Sequence, residues 1–388
     1  RKRAEELFDD MVADRRHLHR NPELSFKEYE TTQFMLNRLE DLEIPTHRPL
    51  ETGCVGVIEA PNKEFDKVVV LRADIDALPI LEEGEHKEEF ASETPGVAHC
   101  CGHDMHTTNV LTAARILKEQ VNSLKRDVVL VFQPAEETLP GGGRLLRDTG
   151  FLDQWEIAAI YGLHSYPELP PGKIALRKGP LMASTDEFDL TLIGKGGHAA
   201  APHTAVDPIV MASQWINQSQ TIISRMTNPA EPAVLTTGSI HGGTAHNVIP
   251  GKIELKGTVR TFDQQVAATI NEKMEQLADS VSKAAGGSYD YHFNEGYPAL
   301  INNYGAAEHV RERASKLMGP ENVELMRYPV MAGEDFAFYT QKYPGAFFFL
   351  GSGTEEADSQ YSWHHPRFNV DERAMKTGTA LLALLAID

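Results

Sequence analysis

Cysteine is almost missing from this chain of 388 residues, which has only Cys54, Cys100 and Cys101. So sparse and odd a set argues against a disulfide framework and for a reducing compartment, so the cytoplasm is expected. Long hydrophobic runs are missing too. Stretches such as Val68-Val69-Val70-Leu71 and Phe347-Phe348-Phe349-Leu350 fall far short of the ~20 residues that span a bilayer and read as buried strands. Positive charge is in deficit: 37 Lys and Arg face 56 Asp and Glu, a formal net charge of -19. Neither nucleic acid nor an anionic membrane is an expected partner, because phosphates are held by clustered Lys and Arg. The opening Arg-Lys-Arg-Ala-Glu-Glu has no apolar signal core, although a first residue other than Met leaves a removed leader open. Low-complexity segments and repeats are absent.

What is present is ordinary globular composition, 41% hydrophobic and 24% charged, in a length that suggests two domains at roughly 150 residues each. Amphipathic helices are expected over 3–18 and 29–42, and helical spacing of Val110, Leu111, Ala114 and Leu117 extends over 104–120. Apolar strands are expected over 67–72, 127–133 and 157–162. Strands apolar on both faces that alternate with helices imply a mostly parallel sheet in an α/β domain. After Ser184 the pattern changes, and Phe188, Leu190 and Leu192 alternate as in a half-exposed strand. A helix over 208–226, strands over 233–240 and 252–262, a helix over 264–285 and a strand over 289–293 follow. The order β-α-β-β-α-β is the ferredoxin-like arrangement. The expected layout is therefore an α/β domain made of 1–184 and 297–388, with an α+β domain, 185–296, inserted into it. The remainder ends in an apolar helix over 373–386.

The chemically dense stretches lie just beyond strand ends or in loops, where open α/β sheets form their sites. They are Arg72-Ala73-Asp74-Ile75-Asp76-Ala77-Leu78-Pro79, His99-Cys100-Cys101-Gly102-His103-Asp104-Met105-His106, Pro134-Ala135-Glu136-Glu137, Leu163-His164 and Ser362-Trp363-His364-His365-Pro366. Cysteine, histidine and glutamate gathered in this way suit a borderline transition-metal cation. Structural zinc uses Cys and His in close sequence pairs; ligands spread over the chain and mixed with carboxylates favour an open, catalytic site. Two adjacent glutamates at a strand end can divide the work, one binding metal and the other moving a proton.

Those stretches, together with Gly162-Leu163-His164, Gly196-Gly197-His198, Asn247-Val248-Ile249-Pro250, Gly333-Glu334-Asp335-Phe336 and His364-His365-Pro366, resemble the M20 metallopeptidase and amidohydrolase family. The likeness is to the branch of aminoacylases, hippurate hydrolases, N-acetyldiaminopimelate deacetylases and auxin-conjugate hydrolases, and it runs from near Arg16 to the C-terminus. It implies two divalent metal ions, with Cys101, His103, Glu137, His164 and His364 as ligands and Cys101 bridging. It implies Glu136 as general base and acid, and Asp74 as a carboxylate that orients a ligand. The inserted domain resembles the family's lid and dimerisation domain. From it His198 would reach the partner's site to bind an oxyanion, and Asn247 and Arg260 would contact the substrate's carboxylate end. The implied activity is hydrolysis of the amide bond of small N-acyl amino acids by a homodimer, giving a carboxylic acid and an amino acid. The thiolate leans to zinc, whereas carboxylate and imidazole would also accept manganese, cobalt or nickel. One departure stands out: where the branch has Met-His-Ala-Cys, this chain has Ala98-His99-Cys100-Cys101.

Plainer readings exist for each feature. A lone histidine among 16 is more often a surface or hydrogen-bonded residue than a ligand; His106 and His365 are read as ligand-orienting or helix-start residues, and His99 is left open. Cys54 and Cys100 read as small buried hydrophobes. Gly141-Gly142-Gly143 and Gly194-Lys195-Gly196-Gly197 do not continue into Gly-Lys-Ser/Thr, so phosphate loops are not expected. Arg260 shares a strand face with Glu254 and Lys256, as an ordinary exposed residue would. The same residues would also serve a dipeptidase or carboxypeptidase. A non-catalytic binding protein would be expected to have lost a ligand or the base, and none is lost here.

Overall fold

The computed structural model describes residues 1–355 and 360–387. The chain divides into two compact units, Arg1–Leu181 with Ile301–Pro329 and Asp335–Asp388, and Met182–Leu300 with Val330–Glu334.

The first unit is built on an eight-stranded sheet in the order Thr46–His47, Cys54–Ile58, Val128–Gln133, Val68–Asp74, Ile157–Tyr166, Gly345–Gly351, Ile174–Leu176, Val323–Leu325. Val68–Asp74 runs parallel to the strands on both its sides, and Gly345–Gly351 runs parallel to Ile157–Tyr166. Every residue of Val68–Asp74, Val128–Gln133 and Gly345–Gly351 is buried, as parallel strands covered on both faces must be. One cover is the helix His103–Glu119, buried on nearly every side between the sheet and the helices Phe8–Arg20 and Ala374–Ile387.

Two expected elements of this unit differ in detail. The first helix is broken into Lys2–Glu6 and Phe8–Arg20, where the chain turns to bury Leu7. The strand expected to end near Gly162 continues to Tyr166, because Gly345–Gly351 pairs along it as far as Gly351 opposite Tyr166. His164 therefore lies within the strand rather than beyond it.

The second unit carries an antiparallel sheet in the order Ala233–His241, Lys252–Thr261, Asp186–Ile193, Ser288–Asn294. The helices Pro208–Thr221 and Gln264–Ala285 pack on it over Phe188, Leu190, Leu192, Leu255 and Trp215. Their ends are chemically marked. Asp207 and Asp263 accept amide N–H groups of the first turns, and Gly286, at φ 78°, closes the longer helix. The helix expected over 208–226 is α-helical to Thr221 and widens into a π-turn at Ile222–Met226. A two-stranded ladder joins Gly197–His198 to Val248–Ile249. Among the described residues no helix is long and apolar enough to cross a membrane.

Candidate metal centre

Val68–Asp74 and Val128–Gln133 end side by side, with Asp74 opposite Gln133. Beyond Gln133 the chain turns sharply. Ala135 adopts φ 52°, and its N–H donates to Glu28 Oε1 at 2.8 Å. Gly142 N–H donates to Ala135 O at 2.9 Å, and a Cβ on Gly142 would stand 1.8 Å from Pro134 O, so only glycine fits. His364 also adopts a left-handed conformation, φ 65°, and its N–H donates to Cys100 O at 2.8 Å. Non-glycine residues in this region cost on the order of 1–3 kcal/mol each, and persist where the surroundings hold them. Here they aim Glu136, Glu137 and His364.

Ligand atoms of Cys101, His103 and His164 lie within 4.8 Å of one another, and so do those of Cys101, Glu137 and His364. Cys101 belongs to both sets. Its Sγ is 3.3 Å from His164 Nε2, and His364 Nε2 is 3.2 Å from Glu137 Oε1. Glu136 stands beside them, its Oε2 at 3.9 Å from His103 Nε2, which is 3.8 Å from Glu137 Oε1. The five expected ligands and the expected base thus come together from four separate parts of the chain.

Hydrogen bonds prepare these groups for a cation. His103 Nδ1 donates to Asp76, whose backbone O is at 2.9 Å and Oδ1 at 3.2 Å. His164 Nδ1 donates to Ser165 O at 2.9 Å. Both rings therefore turn Nε2 towards the other ligand atoms, where a bound cation would take its lone pair. His103 Nε2 is buried and makes no hydrogen bond, an expensive arrangement unless something else meets it. His106, the third ring of the group, donates from Nδ1 to Asp74 Oδ1 at 2.7 Å and accepts Ser165 N–H on Nε2 at 2.8 Å.

The electrostatics point the same way. Burial, then Glu137 and Glu136, push the Cys101 thiol well above its ordinary range. A thiolate there needs positive charge beside it. Burial alone would lower His103, but Asp74, Asp76 and Glu137 overcome it and carry the ring up to about 10. The spot favours a cation. Burial and the neighbouring His106 keep His164 well below the usual histidine range, so its nitrogen stays unprotonated and able to ligate. Burial would raise Asp74, but His103, Arg72 and His106 hold it well below the usual carboxylate range. The donor set fits divalent metal ions.

The profile of peptidase family M20/M25/M40 matches residues 70–388. The chain belongs to that family. It is 41% identical over 371 residues to the N-acetyl-L-cysteine deacetylase of Bacillus subtilis, covering 95% of this chain and 85% of the relative. It is 36% identical over 388 residues to thermostable carboxypeptidase 2 of Saccharolobus solfataricus, covering 99% and 96%. The crystal structure of the Bacillus subtilis YXEP protein, described as a dinuclear metal binding peptidase from the M20 family, superposes with TM-score 0.84 at 34% identity, covering 99% of this chain and 98% of that one.

In this M20 chain the three remaining expected site residues lie in the second unit. His198 is exposed and pairs opposite Val248, and its Nδ1 accepts Ala200 N–H at 3.0 Å. Asn247, also exposed, accepts Ala199 N–H on its backbone O at 3.1 Å, so the two residues are neighbours across the short ladder. Arg260 is half-buried on Lys252–Thr261, opposite Val234, rather than fully exposed. Burial lowers its guanidinium, against the pull of Glu187 and Asp186.

Sequence reasoning missed several residues. Asp74, expected to orient a ligand, bonds to His106 and Arg72, and its nearest oxygen is 3.9 Å from His103 Nδ1. Asp76 is the residue hydrogen-bonded to His103. The Asp-x-Asp spacing at a strand end was the available signal. Arg72, Asp335, Gln133 and Glu28, buried beneath the site, carry no local mark of that role.

Proposed function

We propose that this M20 protein hydrolyses the amide bond of small N-acyl amino acids, using two divalent metal ions held by Cys101, His103, Glu137, His164 and His364. The observation that carries the reading is the pair of overlapping ligand sets sharing Cys101, with Glu136 at their edge. Bound divalent cations supply Lewis acidity, bringing the pKa of water from about 15.7 towards ~7 and polarising a carbonyl. Glu136, which stands outside the ligand sets that share Cys101, takes the proton of the attacking water. It then returns that proton to the leaving amine as the C–N bond breaks. Asp76 and Ser165 hold the rings of His103 and His164 in the ligating tautomer through these steps.

In the same reading the second unit is a ferredoxin-like lid and dimerisation domain. His198 of one copy donates to the oxyanion in the other copy's site, and one such donor is typically worth ~3 kcal/mol. Asn247 and Arg260 bind the substrate's carboxylate. Zinc or manganese suits the donors, the thiolate drawing zinc, with cobalt or nickel acceptable to the same set. Three unpaired, buried cysteines accord with a cytoplasmic setting. Likeness to a carboxypeptidase over nearly the whole chain favours peptide hydrolysis as the second reading.

The test is primary-amine release from N-acetyl and N-benzoyl amino acids and simple dipeptides, with the protein chelated and then resupplied with manganese or zinc. Metal-restored release from acyl amino acids supports the first reading, and a preference for dipeptides supports the second. No release with both metals bound refutes both.

A further inference from the structure

His364 is the outlying ligand of the centre. It lies on a segment after residue 360 with neither helix nor strand before Ala374–Ile387, and its side chain is 53% exposed. Something must hold that segment against the Cys101 loop if His364 and Cys101 are to meet one ion. Part of the hold is local: His364 N–H on Cys100 O, Glu83 N–H on Pro366 O at 3.0 Å, and Trp363 Nε1 on Ser165 O at 3.0 Å.

The rest is a buried chain of charge. The Lys87 ammonium is 0% exposed. It donates to Pro366 O and Phe368 O, both at 3.0 Å, and pairs with Glu82 Oε1 at 2.7 Å. Three donors thus meet three acceptors, which is what a buried ammonium requires. Glu82 Oε1 also receives His19 Nε2 at 2.7 Å, while Glu82 Oε2 accepts Ser92 N–H at 2.7 Å. The other His19 nitrogen, Nδ1, donates to Asp104 Oδ2 at 2.8 Å, and Arg15 Nε lies 2.7 Å from the same oxygen. Asp104 follows His103 directly and accepts Met105 N–H at the start of the helix. A continuous line of hydrogen bonds and one ion pair therefore runs from the residue beside His103 to the backbone just after His364.

We infer that His19, Glu82 and Lys87 are positioning residues that set the His364 segment against the Cys101–His103 arm, and so hold together the half of the centre made by Cys101, Glu137 and His364. The inference rests on the two-metal reading above. In the half made by Cys101, His103 and His164, His103 is held by the helix and His164 by the strand, and neither lies on the segment that Lys87 grips. Groups that orient metal ligands typically change metal affinity by about 10–100-fold when removed. In Lys87→Met the loss should fall on one ion only.

The experiment is zinc content per chain after dialysis against graded chelator, for the wild type, Lys87→Met, Glu82→Gln and His364→Ala. Expected are two ions in the wild type, one tight ion in His364→Ala, and one tight ion with a second loosened by about 10–100-fold in Lys87→Met. Glu82→Gln, which keeps the size of the side chain, should loosen the same ion even if Lys87→Met fails to fold. Equal weakening of both ions, or an unchanged second ion in both variants while His364→Ala loses one, would overturn the positioning role. A wild type that binds fewer than two ions would instead refute the two-metal reading, and His364→Ala that keeps two equally tight ions would refute His364 as a ligand and the positioning role with it.

Discussion

Arg72 offers the sharpest test of how this centre is supported. Its side chain is fully buried inside Val68–Asp74, with Nη1 at 2.6 Å from Asp74 Oδ2, Nη2 at 2.6 Å from Asp335 Oδ1, and Nε at 2.9 Å from Gln133 Oε1. Replacement by Met keeps the length and apolar stem but leaves two buried carboxylates without their shared cation. Removing one partner of a buried ion pair costs about 3–5 kcal/mol, far more than an exposed pair contributes, because the stranded charge cannot be rehydrated. Asp335 has a partial escape. Burial raises its carboxyl to about 6 even with Arg72, Gln133 and Gly143 N–H in place. A carboxyl raised above its unfolded value stabilises the fold below that unfolded value, and the contribution is lost as pH climbs through the folded value. Without Arg72 the folded value rises further, so protonation relieves the variant in acid and fails to relieve it in base. The deficit should therefore approach the full ~3–5 kcal/mol near pH 8 and shrink near pH 5. Urea unfolding of wild type and Arg72→Met at both pH values, followed by tryptophan fluorescence, measures it. Adding Asp335→Asn should recover part of the loss near pH 8. A deficit under about 1 kcal/mol, or one that does not change with pH, would refute the account.

Three further outcomes are expected. Glu136→Gln should lower kcat for amide hydrolysis by about 10²–10⁴-fold while metal content is unchanged; loss of metal would instead make Glu136 a ligand. Burial and the Asp76 charge raise Glu28 to about 7, so its stabilising contribution is present below its unfolded value and lost as pH rises through about 7. Glu28→Gln in chelated protein should therefore gain on the order of 3 kcal/mol relative to wild type between pH 4.5 and 8, read from unfolding midpoints. Mixed His198→Ala and Glu136→Ala subunits should regain part of the activity that each lacks alone, whereas no complementation would count against a site shared between copies.

The parallel sheet was legible because its strands are apolar on both faces, and Val68–Leu71 or Phe347–Leu350 could hardly be anything else. The sheet of the second unit was legible from the alternation of Phe188, Leu190 and Leu192, whose side chains do point to its helices. Ends were less legible: His164 looked like a residue after a strand, since the pairing that carries the strand to Tyr166 comes from Gly345–Gly351, far along the chain. The candidate ligands could be named because metal chemistry restricts which residue types serve and the resemblance to the M20 family singled out five positions. Their supports could not. Lys87 lies in the acidic run Glu82-Glu83-Gly84-Glu85-His86-Lys87-Glu88-Glu89, which has the composition of a solvated loop, yet it is fully buried. Its burial depends on two backbone carbonyls 279 and 281 positions away.

The Cys100-Cys101 pair shows how one short segment ties the centre together. Cys100, expected to be a buried hydrophobe, has its side chain in the core, and its backbone O receives the N–H of His364. Cys101 places its thiol in both ligand sets. The first residue fixes the segment that brings His364, and the second provides the atom on which the two halves converge. Charge then bears on how many ions that atom serves. Arg72 pairs with Asp74 and leaves Asp76, Glu136, Glu137 and the Cys101 sulfur to be balanced in a buried space. A single dication would leave surplus negative charge among groups that already raise one another's proton affinity, as Glu137 and Glu136 do for Cys101. Two dications sharing the sulfur would offset that charge. The ligand sets that share the thiol and the charge gathered around it both support the proposed pair of ions.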